Sequence, residues 1–246
     1  MKSMLKILFS DIRKMSKKEH TYYWIIPTLL LSVLMVFYFS KIPALVEFVC
    51  PKENWEWGIL ENIQLGIIAF MIILSVYAFL NKKVALQKLG FGFVAFFAVF
   101  VFLEEIDYGA HFAQLIGGEE EIILKEYIPH NIHNLGNNAK LFKRSVYLIM
   151  LLIFVIAPFL KTRIENPYIQ YLIPKPRIVI VAMLAIAADL VPRLIVALEI
   201  LEDGGLGVNI GEFSEIMVYH IFLIYLIQLI FENQLQIDIK VKSAKI

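Results

Sequence analysis

The chain has 246 residues, of which 59% are hydrophobic and only 18% are charged, and its mean hydropathy is +0.72. Soluble domains carry about 25% charged residues, so this composition excludes an ordinary soluble domain and a disordered chain. The single cysteine, Cys50, excludes a disulfide framework, and the net charge of +1 argues against a nucleic-acid partner. The composition predicts an integral membrane protein.

The first twenty residues predict an amphipathic helix. Six Lys and Arg side chains surround an apolar face, a pattern that is typical of a helix on an anionic membrane surface. The alternative is a basic flank that only orients the first span. The residues that can form the apolar face are Met4, Leu5, Ile7, Leu8, Ile12 and Met15.

Six apolar stretches then follow, each close to the roughly 20 residues that cross about 30 Å of hydrocarbon. They are continuous rather than alternating, so they predict helices rather than barrel strands. The predicted spans are 22–39, 59–80, 89–106, 145–160, 178–200 and 212–231. The predicted fold is an all-α polytopic membrane helix bundle. Its parts are a basic segment 1–20, a six-span domain 21–232 with an outer loop 107–144, and a tail 233–246.

The distribution of basic residues predicts the orientation of these spans. If the N-terminal segment is cytoplasmic, sixteen of the 23 Lys and Arg residues fall inside and six fall outside, with Arg193 within the fifth span. The positive-inside rule therefore places both termini in the cytoplasm of a cell-membrane protein.

Ionisable residues concentrate at the predicted outer ends of four spans. Each such group inside a span costs about 2.5–3.5 kcal/mol on insertion scales, so a set of them indicates function. We expect Glu104, Glu105 and His133 to meet Glu61 and Glu215 in one outer site. The other polar residues at this level are Glu56, Asp107, Tyr108, His111, His130, Asn134, Asp189, Arg193, Glu212 and His220.

Three short motifs resemble a family of uncharacterised bacterial multi-pass membrane proteins. They are EWGILEN at 56–62, EEIDYG at 104–109 and NIHN at 131–134. The second is similar to the family's Glu-Glu-Ile-Ser-Trp-Gly motif, with Asp for Ser and Tyr for Trp, and the third matches its Asn-x-His-Asn motif. Glutamates at the start of the last span complete the similarity, which covers roughly 55–220. The resemblance implies a fold and a set of positions, and it implies no particular reaction.

These polar side chains could bind a divalent metal ion. Glu105, His111, His133 and Glu215 offer the carboxylate and imidazole ligands that suit Zn, Mn or Fe. A metal with an open position could activate water against a lipid-linked substrate. No tight spacing such as HExxH is present, so the sequence leaves this cofactor open.

Metal-free chemistry and a purely structural role are the alternatives. Glu104 and Glu105 could exchange a proton with His133 as catalytic acid and base. Glu61, Asn134, Arg193 and Glu215 would then bind substrate. In the structural alternative, carboxylates favour helix N-termini, His220 is an interhelical hydrogen-bonding residue, and Asp189 pairs with Arg193 four residues later.

The sequence is therefore compatible with three functions. The first is an enzyme that acts at the outer leaflet on a lipid or lipid-linked substrate. The second is a small proton- or ion-coupled transporter, and the third is an assembly subunit without chemistry. All three place the protein in contact with membrane lipids.

The orientation can be tested by cysteine labelling from either side of the membrane, in a variant without Cys50. Cysteines near Lys82 and Arg163 should react only from the cytoplasmic side, and those near Asn137 and Gly204 only from outside, because the basic loops stay inside. Labelling near Lys82 from outside would contradict the six-span topology.

Overall fold

The computed structural model describes residues 2–52, 58–109 and 138–233, and its regular secondary structure is helical throughout these ranges. The chain divides into two compact units, Met1–Gln64 with Met150–Ile246, and Leu65–Ile149. The helices are α1 (Lys2–Ile12), α2 (Lys17–Tyr38), α3 (Pro43–Val49), α4 (Ile59–Asn81), α5 (Ala85–Glu105), α6 (Asn138–Met150, continuing over 151–160), α7 (Pro167–Leu172), α8 (Ile178–Ala197) and α9 (Glu212–Glu232).

Five of the described helices are long and apolar enough to cross a membrane, namely α2, α4, α5, α8 and α9. Their bounds lie within a few residues of the predicted spans. The predicted fold class, an all-α membrane helix bundle, is confirmed. The fourth predicted span falls within α6, whose apolar part Arg144–Leu160 is shorter than the other five helices, so six spans stays a prediction.

Three stretches of π-helix lie inside these helices. They cover Thr21–Ile25 in α2, Leu151–Ile156 in α6 and Gln228–Glu232 in α9. In α6 the π-helix comes directly before the turn that contains Pro158, so the helix continues to Leu160 instead of breaking at the proline. Local π adjustments of this kind let membrane helices accommodate proline. Single π turns also occur often at functional sites.

The core of the first unit lies mainly between α8 and α9, which pack together along their lengths. The buried face of α8 carries the small side chains Ala182, Ala185 and Ala188. Small residues let two membrane helices approach closely. The facing helix α9 contributes larger buried side chains, namely Phe213, Ile216, Met217, Ile221 and Ile224.

The second unit contains most of α4 and all of α5. A Cβ atom on Gly92 of α5 would lie 3.1 Å from the ring of Phe79 in α4, so the two helices are in close contact there. The aromatic run of α5 points away from this contact, with Phe93 and Phe96 68% and 72% exposed. Exposed rings on a membrane-spanning helix are placed to contact lipid chains.

The loop after α8 is fastened to the end of α2. The Tyr38 hydroxyl donates to the Asp203 carboxylate and accepts a hydrogen bond from the Leu206 amide at 2.9 Å. Asp203 also accepts from the Gly207 amide at 2.7 Å. Gly204 lies against Tyr38 so closely that a Cβ atom would stand 2.5 Å from the Tyr38 carbonyl oxygen. Only glycine fits at this contact.

Replacement of Gly204 by alanine should therefore destabilise the first unit. The added methyl group would force the loop away from Tyr38, and overpacking of this kind costs about 1–3 kcal/mol. We expect a lower melting temperature for the detergent-solubilised protein. Gly90→Ala is the matched control, because a Cβ atom there meets nothing within 4 Å inside helix α5. It should stabilise by up to about 1 kcal/mol, and equal effects of the two changes would refute the close contact.

Candidate functional site

Polar side chains gather at both ends of helix α9, about 30 Å apart at 1.5 Å per residue. At one end lies a group of charged residues that we call the Arg177 cluster, consisting of Asp11, Glu19, Arg177 and Glu232. Arg177 immediately precedes α8, and its side chain is only 7% exposed. Its guanidinium forms ion pairs with Asp11 at 3.5 Å, with Glu19, and with Glu232 at 3.9 Å.

The Arg177 cluster joins four elements of the first unit. Asp11 lies in α1, Glu19 in the first turn of α2, and Glu232 at the end of α9. Asp11 also accepts a hydrogen bond from the Arg177 backbone amide at 2.9 Å. Burial disfavours the charged guanidinium, but the nearby carboxylates, Asp11 first among them, raise the pKa of Arg177 above its ordinary value. The cation is therefore held in a paired and permanently charged state.

Tyr23 and Gln228 connect the helices beside this cluster. The amide of Gln228 donates to the Tyr23 hydroxyl at 2.7 Å, and its carbonyl oxygen accepts from the Lys175 backbone amide at 2.9 Å. Both residues are fully buried, and both lie in π-helical stretches. The His220 ring contacts the Tyr23 carbonyl oxygen at 3.3 Å, which confirms the interhelical role predicted for it.

At the other end of α9, Gln64 and Glu212 form what we call the Gln64 pair. The Gln64 side-chain amide donates to the Glu212 carboxylate at 3.1 Å. Gln64 is fully buried, and no described residue donates a hydrogen bond to its carbonyl oxygen Oε1. Glu61 lies three residues earlier on α4, so it shares a face with Gln64, and it is also buried. The first turns of α4 and α9 thus bring carboxylates and an amide together.

The two glutamines that are buried in the described part of the first unit differ in one respect. Gln228 has partners for both its amide nitrogen and its carbonyl oxygen, whereas Gln64 has a partner for the nitrogen only. A buried polar atom without a partner costs about 1–3 kcal/mol. The Gln64 carbonyl is therefore a buried acceptor for which no described residue supplies a donor.

In the second unit, Glu104 closes helix α5 and is 5% exposed. The helix ends at Glu105, and the Tyr108 hydroxyl donates to the Glu104 carboxylate from the turn that follows. Tyr108 has φ +53°, a left-handed conformation that is uncommon for a residue with a side chain. Such backbone strain concentrates at functional sites. Glu105 is the last residue of α5, and its side chain is half-buried.

The structure places the other predicted site residues as follows. Glu215 is half-buried in the first turn of α9, in the first unit with Glu61. The Arg193 guanidinium donates to Asp189 at 3.0 Å, which confirms the predicted pair. Glu104 and Glu105 belong to the second unit, so the shared outer site stays a prediction. Outside the described residues lie Glu56, His111, His130, His133 and Asn134.

The metal site also stays a prediction. Within residues 2–52, 58–109 and 138–233, no group of three or more His, Cys, Asp or Glu side chains is arranged to hold a metal ion. The predicted ligand set Glu105, His111, His133 and Glu215 takes two members from the range 110–137, which is not described. The described carboxylates alone are therefore insufficient as a metal centre.

Comparisons with models of protein families, with curated proteins and with solved structures found no match to this chain. The class of the protein therefore rests on its own fold. Five long apolar helices and the polar groups at the ends of α9 define an integral membrane protein built as a helix bundle.

Replacement of each buried glutamine by leucine should change stability differently, because the two glutamines lie at opposite ends of α9 and differ in their partners. Gln64→Leu removes a buried carbonyl without a described donor, but it also removes the donor to the Glu212 carboxylate, so we expect the free energy of unfolding to change by less than about 1 kcal/mol. Gln228→Leu leaves the Tyr23 hydroxyl and the Lys175 amide without their partner, so we expect a loss of about 2–4 kcal/mol.

Thermal unfolding in one detergent, at matched pH and salt, measures both effects. Ser75→Ala serves as a control, because the buried Ser75 hydroxyl donates only to the Met71 carbonyl of its own helix at 2.7 Å. A loss of stability in Gln64→Leu as large as in Gln228→Leu would show that Gln64 is an ordinary structural residue.

Proposed function

We propose that the protein is a membrane enzyme that acts on a lipid or a lipid-linked substrate at the outer leaflet. In this proposal the Gln64 pair binds the polar group of the substrate. The observation that carries it is the fully buried Gln64 carbonyl, which lacks a described donor, beside the Glu212 carboxylate. Both atoms accept hydrogen bonds, so they suit a headgroup with hydroxyl or ammonium donors.

The surroundings of the Gln64 pair support this proposal. Glu61 is buried on the same face of α4, and Glu215 lies one turn along α9 from Glu212. Polar groups inside a membrane protein are costly, and they mark substrate paths more often than packing. Together with Asn134 and Arg193, these two glutamates are the substrate-binding residues of the proposal.

The catalytic residues of the proposal are Glu104, Glu105 and His133. Glu104 is buried and accepts a hydrogen bond from Tyr108, so its carboxylate is fixed in direction. A positioned carboxylate and an imidazole can exchange a proton with a substrate. The proposal includes the resemblance to bacterial multi-pass membrane proteins, whose motifs contain these three positions. In a second version of the proposal, the enzyme uses a divalent metal bound by Glu105, His111, His133 and Glu215.

The packing of α9 favours an enzyme over a transporter. Between Glu215 and Gln228 the fully buried side chains of α9 are apolar, among them Ile216, Met217, Ile221 and Ile224, and the polar His220 is held by the Tyr23 carbonyl oxygen. A transporter needs polar groups along the path of its substrate. The described part of this helix carries its polar groups mainly near its ends, which suits chemistry at one surface.

A lipid comparison in the organism that encodes the chain tests the proposal. The gene is deleted and then restored as wild type, Gln64→Leu, Glu212→Gln or Glu105→Gln, and membrane lipids and lipid-linked species are profiled by mass spectrometry. We expect the deletion to accumulate one lipid species that wild type removes. The three variants should resemble the deletion, with at least a tenfold loss of conversion for each, at normal protein level.

Ser75→Ala is the matched control and should restore the wild-type profile, since its hydroxyl is satisfied within its own helix. Elemental analysis of the purified wild type and His133→Asn would distinguish the metal form from the metal-free form. Identical lipid profiles in wild type and deletion, with the protein folded and present in the membrane, would refute the proposed function.

A further inference from the structure

Helix α1 has three faces with different chemistry. The first face points into the first unit and carries Leu8, Asp11 and Ile12, which are half-buried, followed by the buried Met15. Leu5 and Phe9 lie one turn apart on a second face and are 46% and 56% exposed. The third side is basic, with the exposed residue Lys6 on α1 and the exposed residues Arg13 and Lys14 in the turn directly after it.

The Arg177 cluster fixes the level of α1 relative to the spans. Glu19 begins α2, Arg177 precedes α8, and Glu232 ends α9, so the cluster lies where three spanning helices terminate. Asp11 holds α1 at this same level through the Arg177 amide and guanidinium. The membrane boundary therefore passes beside α1.

Trp24 marks the same boundary independently. It lies in the first turns of α2, is 37% exposed, and donates from its indole nitrogen to His20 at 3.0 Å. Exposed tryptophans of membrane proteins concentrate at the interface between headgroups and hydrocarbon. An exposed apolar face on α1 at this depth would contact acyl chains, and the adjacent basic face would contact headgroups.

We infer that α1 is an interfacial helix that binds the surface of a bilayer containing anionic phospholipids. Leu5 and Phe9 insert among the acyl chains, and Lys6, Arg13 and Lys14 bind phosphate-bearing headgroups. Asp11 acts as a positioning residue, because its contacts with Arg177 hold the helix against the bundle. The charge complementarity between three exposed cations and an anionic surface selects this occupant over a neutral one.

Brominated lipids provide a direct test in the full-length protein. A Phe9→Cys variant in a Cys50→Ser background is labelled with a fluorophore and reconstituted into mixed vesicles of phosphatidylcholine and phosphatidylglycerol, in which only one of the two lipids has brominated chains. We expect both lipids to quench the label, with a relative affinity for phosphatidylglycerol over phosphatidylcholine on the order of tenfold. Changing Lys6, Arg13 and Lys14 together to glutamine should reduce this ratio to about one.

A label at Ser10 is the matched control. Ser10 is exposed and adjacent to Phe9, but on the basic side of the helix. It should be quenched by aqueous iodide and only weakly by brominated chains. The variant Asp11→Asn should increase the mobility of the Phe9 label while the spans stay folded.

Two outcomes would overturn the inference. Quenching of the Phe9 label by iodide but by neither brominated lipid would place the helix in water, available to a protein partner. Equal quenching by the two lipids in the otherwise wild-type chain would remove the anionic preference.

Discussion

A buried guanidinium surrounded by carboxylates organises one end of the first unit. Arg177 is 7% exposed and contacts acidic residues from α1, α2 and α9. A buried charge is tolerated only when it is paired, and loss of one partner leaves an uncompensated charge that costs about 3–5 kcal/mol. The positions of α1, α2, α8 and α9 at this end therefore depend on one another. The Tyr23 and Gln228 contacts complete the same arrangement with neutral groups.

The buried polar groups at the two ends of α9 differ in how far described residues supply their hydrogen-bond partners. Around Arg177, described carboxylates pair with the guanidinium, although its Nε has only an ion pair with Asp11 at 3.5 Å and no hydrogen bond, and described residues supply both partners of the Gln228 amide. At the other end, the Gln64 carbonyl is as deeply buried but has no donor among the described residues. Hydrocarbon offers no water to fill such a gap. This contrast between two buried glutamines, Gln64 on α4 and Gln228 on α9, supports the proposal that substrate binds at the Gln64 pair.

The span helices could be predicted from sequence because the length of an apolar run reports the membrane thickness. The i, i+4 contact of Asp189 with Arg193 was also predictable, because helical spacing fixes it, whereas the contact of Glu104 with Tyr108 forms in a left-handed turn after the helix ends. The Arg177 cluster could not be predicted, because the partner Asp11 lies 166 positions away in the chain. One signal was present: Asp11 and Glu19 are the only acidic residues in a basic segment of twenty. Gln64 and Gln228 gave no signal, because burial of an amide depends on which helices meet.

The central claim is that the Gln64 carbonyl accepts its hydrogen bond from a bound polar group. The most direct measurement is a structure of the protein in lipid nanodiscs, at a resolution that shows side chains and headgroups. We predict non-protein density within hydrogen-bonding distance of both Gln64 Oε1 and the Glu212 carboxylate, with Gln228 contacted only by Tyr23 and Lys175. A protein side chain or backbone amide that donates to Gln64 Oε1 would contradict the claim, because the buried carbonyl would then be satisfied by the fold alone.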